Sequence, residues 1–318
     1  MKAPAEGGFL NLHKPRGITS QSAVQEVRRA LRALVAPKRE APLKVGHLGT
    51  LDPSAEGVLP VAIGKATRLW RWADLEPKVY RFELTFGVET DTFDAEGKVV
   101  ARRQAVVDKE KIEKALARFR GSLLQTPPPF SAIKQGGRRL YDQARQGEPV
   151  TAPPRRIEIH ALELLDLVPK ESRATFEVVC SGGTYVRALG SDLGRALGCG
   201  AHVSSLVRLR AGVFLIEESR SLEEIARAPA DFLLPLDFPL SHLPSLELGS
   251  EEAANIVRGA AVRRSELTVE AEGPWFRLHD GDGRLLAIAR LSWDFLSKST
   301  CLESRSITIA EEAPSEIP

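Results

Sequence analysis

Residues 46–60 form the most distinctive segment of the chain and read Gly46-His47-Leu48-Gly49-Thr50-Leu51-Asp52-Pro53-Ser54-Ala55-Glu56-Gly57-Val58-Leu59-Pro60. Glycine and proline are frequent, and no regular period is sustained from Gly46 to Lys65, so the pattern predicts a region dominated by loop. Taken alone, an Asp-Pro pair in such a loop is most often a turn, because aspartate caps its own backbone. Asp52 is therefore either a turn former or a carboxylate that a loop presents.

Regular elements are predicted on either side of this segment. Thr19 or Ser20 should cap a helix whose apolar residues fall three and four apart, namely Val24, Val27, Leu31 and Leu34. Apolar and polar residues alternate over 80–88, which indicates a half-buried strand. A helix is predicted over 109–120. A second strand at 176–180 should turn, through Ser181-Gly182-Gly183-Thr184, into a helix that carries Tyr185, Leu189, Leu193 and Leu197.

The length of the chain, 318 residues, predicts two domains. We place the first at 1–245 and the second at 246–318, where short strand-like runs between glycines indicate a small all-β unit. The chain has no run of 18 apolar residues, no apolar segment typical of a secretory signal, and three scattered cysteines. These features predict a soluble, cytoplasmic protein without a disulfide framework.

Charge is distributed unevenly along the chain. The formal net charge is +2, but residues 246–318 contain 8 basic and 13 acidic residues, which leaves +7 on residues 1–245. Residues 125–156 hold 6 basic and 2 acidic residues together with several prolines and glycines, and so predict an exposed basic insertion. A basic body suits a polyanionic partner.

Several cofactor motifs are missing. Residues 57–65 have the wrong glycine spacing for a phosphate loop, and Ala66 stands where a serine or threonine would bind magnesium. The sequence Gly281-Asp282-Gly283 is too short for a dinucleotide fingerprint. The six histidines show no ligand spacing. We therefore expect neither a metal nor an organic cofactor.

The segment at 46–60 resembles the catalytic motif of the TruB family of pseudouridine synthases. Four further segments are similar to motifs of that family: Lys14-Pro15-Arg16-Gly17-Ile18-Thr19-Ser20, Tyr80-Arg81, Gly183-Thr184-Tyr185-Val186-Arg187 and Gly198-Cys199-Gly200-Ala201-His202. Leu206 falls at the apolar position of the family that lies below the target base. The matches extend from residue 9 to about residue 215. The resemblance implies an α+β catalytic domain on a mixed, mainly antiparallel sheet with flanking helices, a thumb insertion at 125–156, and a small C-terminal PUA-like β-barrel.

The resemblance also implies the roles of individual residues. Asp52 would be the carboxylate that acts on C1′ of a uridine, either by direct attack or by assisting glycal formation. Tyr80 would stack on the target base, although core packing explains such a tyrosine equally well. The substrate-binding residues would be His47, Lys14, Leu206, Gly49 and Thr50.

Arg187 is the third predicted catalytic residue. A carboxylate in a dry pocket needs a nearby cation in order to stay ionised. Arg187 falls in the first turn of its predicted helix, where a cation opposes the helix dipole, so a neighbouring anion would explain its presence. Asp52 is the anion that the resemblance suggests, and a phosphate of the substrate is the alternative.

The implied substrate is tRNA, at the uridine of the T-loop conventionally numbered 55. The basic insertion would close over that loop, and the protein would act as a monomer that needs no obligatory protein partner and no membrane. Two other functions share these motifs. A guide-RNA-dependent pseudouridine synthase usually lacks the insertion, and a tRNA-folding chaperone that binds the T-loop would not need Asp52 or Arg187.

Overall fold

The protein is described by a computed structural model that covers residues 7–32, 43–130, 134–135, 138–139, 152–260, 262–263, 275–294 and 299–306. The strands are β1 Gly7–Lys14, β2 Val45–His47, β3 Glu56–Gly64, β4 Lys78–Phe86, β5 Val88–Thr90, β6 Val99–Arg102, β7 Gly121–Gln125, β8 Lys134–Gln135, β9 Arg138–Arg139, β10 Arg155–Val168, β11 Arg173–Cys180, β12 Ala201–Ala211, β13 Phe214–Leu215, β14 Ser245–Glu247, β15 Val262–Arg263, β16 Trp275–His279, β17 Leu285–Asp294 and β18 Ser299–Ser306. The helices are α1 Ser20–Arg32, α2 Lys109–Leu116, α3 Val186–Ala196, α4 Leu222–Arg227 and α5 Ser250–Val257. None of the described helices is long and apolar enough to cross a membrane.

A nine-stranded sheet organises the first 215 residues within the described part of the chain. Its main path runs β1-β3-β12-β4-β11-β10-β7, while β2 pairs with β3 and β13 with β12. The β3–β12 pair is parallel, and the other pairs in this sheet are antiparallel. The prediction of a mixed, mainly antiparallel sheet with flanking helices is therefore confirmed.

Helix α1 begins where its sequence pattern predicted. The Thr19 hydroxyl accepts a hydrogen bond from the backbone N–H of Ser22 at 2.9 Å and so caps the helix. Val24, Val27 and Leu31 are buried along one face, as their spacing requires. Leu34 lies outside the described residues.

Strand β3 corrects the prediction that residues 46–65 are dominated by loop. Leu59 and Val61 pack into the core under the helices, whereas Val58 and Ala62 pack into a second apolar cluster on the opposite face. A strand that is buried on both faces shows a continuous apolar run instead of alternation, so its period is invisible in the sequence. The glycine-rich part that remains a loop is residues 48–55, called here the Asp52 loop.

The other predicted elements are present with small shifts at their ends. Strand β4 buries Tyr80, Phe82, Leu84 and Phe86 on one face, and Phe82 stacks on Phe176 of β11 with ring centroids 5.3 Å apart. Helix α2 starts after Asp108, whose carboxylate accepts a hydrogen bond from Lys111 N at 2.9 Å, and continues as a 3-10 turn to Phe119. Tyr185 precedes the first residue of α3.

The C-terminal strands form an open five-stranded sheet in the order β14-β16-β17-β18-β15. The PUA-like closed barrel is therefore not confirmed, because β14 and β15 are not paired in the part of the chain that the structure describes. This sheet shares an apolar cluster with the main body, since Leu285 and Ile288 pack in one group with Phe9 and Leu69. Of the predicted insertion, residues 131–133, 136–137 and 140–151 lie outside the described residues.

Candidate active site

Asp52 and Arg187 form an ion pair at the centre of the site. The Nε of Arg187 donates a hydrogen bond to Oδ2 of Asp52 at 2.8 Å, across 135 positions of sequence. The Arg187 side chain is 5% exposed, and that of Asp52 is 33% exposed. The guanidinium is therefore buried behind the carboxylate, while one side of the carboxylate remains accessible from outside. The buried Arg187 already has Asp52 as its anionic partner, so a substrate phosphate is not required to explain a cation at this position.

Arg187 is held in place by several acceptors in addition to Asp52. Its Nη1 donates to the carbonyl of Thr92 at 2.7 Å, and its Nη2 donates to the carbonyl of Phe130 at 2.9 Å. The carboxylate of Asp94, itself nearly buried, lies 3.5 Å from Nη1. A planar guanidinium that meets acceptors on three sides has one orientation, so it presents Nε to Asp52 in a fixed direction.

The Asp52 loop is fixed on both sides of the carboxylate. Ser20, the first residue of α1, accepts a hydrogen bond from Leu51 N and donates one to Leu51 O, both at 2.8 Å. Gly17 N donates to Pro53 O at 2.8 Å. Hydrogen bonds to the backbone of Leu51 and Pro53 thus hold both neighbours of Asp52 against residues 17–20. Asp52 O accepts from Ala55 N at 3.1 Å, so the residue does form a turn as well as an ion pair.

A cavity of about 210 Å³ opens beside this carboxylate. Its lining residues are Thr50, Leu51, Asp52, Lys78, Tyr80, Gly183, Thr184, Tyr185, Val186, Arg187 and Leu206. Five of the eight predicted site residues are therefore brought together in one lining: Asp52, Tyr80, Arg187, Leu206 and Thr50. Asp52 is the carboxylate of this lining, and two aromatic rings and three aliphatic side chains supply surfaces for a flat ring.

Tyr80 lies in this lining and in the core at the same time. It is buried on β4, where its neighbour across the strand pair is Arg208 of β12. Burial raises the pKa of the Tyr80 hydroxyl, and the nearby Arg208 guanidinium opposes the rise. The two interpretations of Tyr80, core packing and contact with a bound ring, are thus compatible, and the raised pKa keeps the phenol in its neutral form.

Lys14 lies behind the Asp52 loop and outside the cavity lining. Its fully buried ammonium donates to the carbonyls of Pro15 and Ile18, at 2.8 and 2.9 Å. Burial lowers the pKa of Lys14 to about 8, with the Asp52 carboxylate acting in the opposite direction. Lys14 therefore braces the turn whose Gly17 N–H holds Pro53.

His47 and Gly49 also lie outside the lining. His47 ends β2, and burial lowers the pKa of its imidazole, with Arg208 acting in the same direction. Its Nδ1 is buried and has no hydrogen-bond partner among the described residues. Gly49 has φ +127° and offers its carbonyl to Nη2 of Arg208 at 3.1 Å. These two residues shape the loop ahead of Asp52, and their predicted contact with substrate stays a prediction.

Sequence reasoning missed four residues of the site. Arg208 is fully buried and clamps the loop to β3, because its Nε donates to Val58 O at 2.6 Å while Nη2 donates to Gly49 O. Lys78 and Tyr185 line the cavity, and burial, assisted by Arg208, lowers the pKa of the Lys78 ammonium. Asp94 faces Arg187. A cation among the apolar residues of β12 was the available signal for Arg208. Tyr185 stands inside the quoted segment 183–187, and no special spacing marks Lys78 or Asp94.

This arrangement suits chemistry on a base that has left its stack. A carboxylate with a fixed guanidinium behind it can add to, or withdraw a proton from, a sugar carbon at the mouth of the cavity. The aromatic and apolar walls can retain a planar base after its glycosidic bond is cut. The cations of Lys78 and Arg208 add positive potential where a departing base would carry negative charge.

Comparison with known families places the chain in the class of pseudouridine synthases. Residues 33–186 match the model of the TruB family pseudouridylate synthase N-terminal domain, and residues 187–240 match that of the tRNA pseudouridylate synthase B C-terminal domain. Asp52 falls in the first match and Arg187 opens the second. The chain belongs to the TruB family and is a pseudouridine synthase.

Curated relatives match over most of their length. A tRNA pseudouridine synthase B from Syntrophomonas wolfei is 42% identical over 287 residues, which is 89% of this chain and 92% of that protein. The protein of the same name from Symbiobacterium thermophilum is 46% identical over 80% of this chain and 82% of its own length. Among solved structures, one chain of a Cbf5-Nop10-Gar1 complex is 25% identical with a TM-score of 0.70, covering 95% of this chain and 85% of its own.

Proposed function

We propose that this protein converts a uridine of tRNA into pseudouridine, with Asp52 as the reacting carboxylate. The observation that carries the proposal is the Asp52–Arg187 ion pair at the mouth of a cavity walled by Tyr80 and Leu206. The curated relatives named tRNA pseudouridine synthase B supply the substrate class.

The reaction needs no redox step and no external group. The N1–C1′ bond breaks with its electron pair passing to the uracil, the base turns, and C5 joins C1′. C5 then loses its proton and N1 gains one, so the product is an isomer of the substrate. In one route the Asp52 carboxylate bonds to C1′ and later departs. In the other it removes the C2′ proton to give a glycal, and it returns that proton to C2′ when C5 bonds to C1′. Deuterium at C2′ separates the two routes, because the glycal route breaks that C–H bond and a primary isotope effect follows if this step limits the rate.

Arg187 and Tyr80 have different parts in this scheme. Arg187 holds the Asp52 carboxylate in a fixed orientation, since its Nε donates to Oδ2. The neutral Tyr80 ring provides a stacking face inside the cavity, and Leu206 lies in the same lining as an apolar wall. Together these residues keep the detached base close to C1′ while it turns.

The target proposed is uridine 55 of the T-loop. A base must leave its stack to reach Asp52, which costs a few kcal/mol in a duplex and less in a strained loop. The basic residues 125–156 would then cover the loop. Both ends of this insertion contact the site: the Gln125 side chain exchanges two hydrogen bonds with the backbone of Tyr185, at 2.8 and 3.0 Å, and Arg155 donates to the Tyr185 hydroxyl at 3.1 Å.

Pure protein incubated with unmodified tRNA transcript tests the proposal directly. Pseudouridine should appear at position 55 without any added protein or guide RNA. Activity that requires a guide RNA and protein partners would instead favour the guide-dependent function. Binding and folding of tRNA without any pseudouridine would favour the chaperone function.

A further inference from the structure

Trp70 is an exposed aromatic residue that the proposed chemistry does not use. It is 54% exposed and follows Leu69, which is fully buried. The segment between β3 and β4 that carries it is anchored by the apolar cluster shared with the C-terminal sheet. Just over half of the surface of Trp70 therefore stays accessible to a binding partner.

Positive charge surrounds this ring. Residues 65–72 read Lys65-Ala66-Thr67-Arg68-Leu69-Trp70-Arg71-Trp72, with three cations and no acidic residue. The guanidinium carbon of Arg71 lies 5.7 Å from the centroid of the Trp70 ring. Arg68 and Arg71 are exposed, and within the described part of the chain neither forms an ion pair. Arg68, Trp70 and Arg71 are called here the Trp70 patch.

The Trp70 patch lies where the main body meets the C-terminal sheet. Two residues further on, Trp72 packs edge-to-face against Trp275 of β16 with ring centroids 5.4 Å apart. Trp70 does not line the cavity at Asp52, although the same segment leads into β4, whose Lys78 and Tyr80 do. An RNA whose base enters the cavity would therefore meet the patch with a different segment of its chain.

We propose that the Trp70 patch binds a single-stranded segment of the substrate RNA that lies outside the T-stem-loop. An unpaired base offers its face to an exposed indole, and the flanking phosphates suit Arg68 and Arg71. A duplex stem would use the cations but not the ring, because its bases are already stacked. This inference rests on the proposed function in that it takes tRNA as the RNA.

The experiment compares two RNAs, full-length tRNA transcript and an isolated T-stem-loop hairpin. For Trp70→Ala, the Kd of full-length tRNA should rise about tenfold, the size of one lost base–aromatic stack. The Kd of the hairpin and the rate of its modification should not change. Trp70→Phe should restore most of the affinity, and Arg71→Ala should lower the slope of log Kd against log salt for the full-length tRNA by about one.

Leu165→Ala is the matched control, because it removes a large apolar side chain that is 46% exposed on β10. It should leave both affinities unchanged, and thermal melting should show all variants folded. Wild-type affinity of Trp70→Ala for full-length tRNA would overturn the inference. So would an equal loss with both RNAs, since that indicates a structural role. If wild-type protein modifies neither RNA, the proposed function fails, while the two Kd values still decide the role of Trp70.

Discussion

Asp52 combines a turn conformation with a side chain that is ion-paired and, in the proposed mechanism, reacts. Its carbonyl accepts a hydrogen bond from Ala55 N, and its carboxylate accepts one from Arg187. Asparagine supports the same turn but supplies no negative charge. Asp52→Asn should therefore bind tRNA with nearly wild-type affinity, since phosphate contacts set affinity, and should form no detectable pseudouridine. Asp231→Asn, an exposed carboxylate elsewhere, is the control. Wild-type turnover in Asp52→Asn would falsify the mechanism.

Arg187 tests the importance of orientation as distinct from charge. Lysine keeps the positive charge but cannot reach Asp52, Thr92 O and Phe130 O together, because it lacks the planar fork. Arg187→Lys should lose stability by about 1–3 kcal/mol, since at least one buried carbonyl loses its partner. Its kcat should fall much more than its affinity for tRNA. An unchanged kcat would show that charge alone suffices.

Lys14 gives a prediction about pH. Its pKa in the folded protein is lowered to about 8, against 10.5 for an ordinary lysine. Between these two values the unfolded chain binds the additional proton, so the free energy of unfolding rises with pH in this window. From pH 7 to pH 9.5 the wild type should gain about 2 kcal/mol relative to Lys14→Met, which has no such group. Denaturant titrations at the two pH values measure the free energy of unfolding of each protein. An equal change in the two proteins between these pH values would contradict the lowered pKa of Lys14.

At the scale of elements, the basic insertion and the active site are connected through the ends of the insertion. Gln125 and Arg155 hold Tyr185, and Phe130 O accepts from Arg187. Replacing residues 131–151 with a short glycine–serine linker keeps these contacts. The variant should melt near the wild-type temperature, whereas its kcat/KM on tRNA should drop severely, because the covering segment is gone.

A second deletion, of residues 125–156, is the informative companion. It also removes the anchors of Tyr185 and Arg187, so it should lose stability as well as activity. Equal kinetics for wild type and the 131–151 replacement would remove the support for the thumb. Equal melting temperatures for the two deletions would show that the anchors contribute little.

At the scale of the whole molecule, the C-terminal sheet and the main body share apolar surface. Leu285 and Ile288 pack in one cluster with Phe9, Leu69 and Phe214. A chain that ends at Pro244 exposes this surface, and two buried aliphatic side chains are worth about 3–6 kcal/mol. Its Tm should fall by about 10 °C or more. A truncated chain that melts like the wild type would show that the shared cluster adds little stability.

Local patterns were sufficient for the elements with one buried face. The spacing of Val24, Val27 and Leu31 predicted α1, and the alternation from Tyr80 to Phe86 predicted β4, because each pattern reflects contact with a single core. β3 was mistaken for loop because both of its faces are covered. The contiguous motif at 46–60 singled out Asp52, since the backbone around a reacting group must be specified within a few residues.

Pairings between distant residues leave little signal in the residues themselves. The Asp52–Arg187 contact, which spans 135 positions, was suggested only by the family resemblance, and the clamp from Arg208 to Gly49, which spans 159, required the tertiary structure. Such contacts depend on the order of strands in the sheet, where β12 lies between β3 and β4, and leave no periodic trace in either segment. The sequence by itself determined the family and the elements with one buried face, and it singled out Asp52. The tertiary structure decided how Lys78 and Arg208 are placed around the Asp52 loop, because folding brings together charges that the chain keeps far apart.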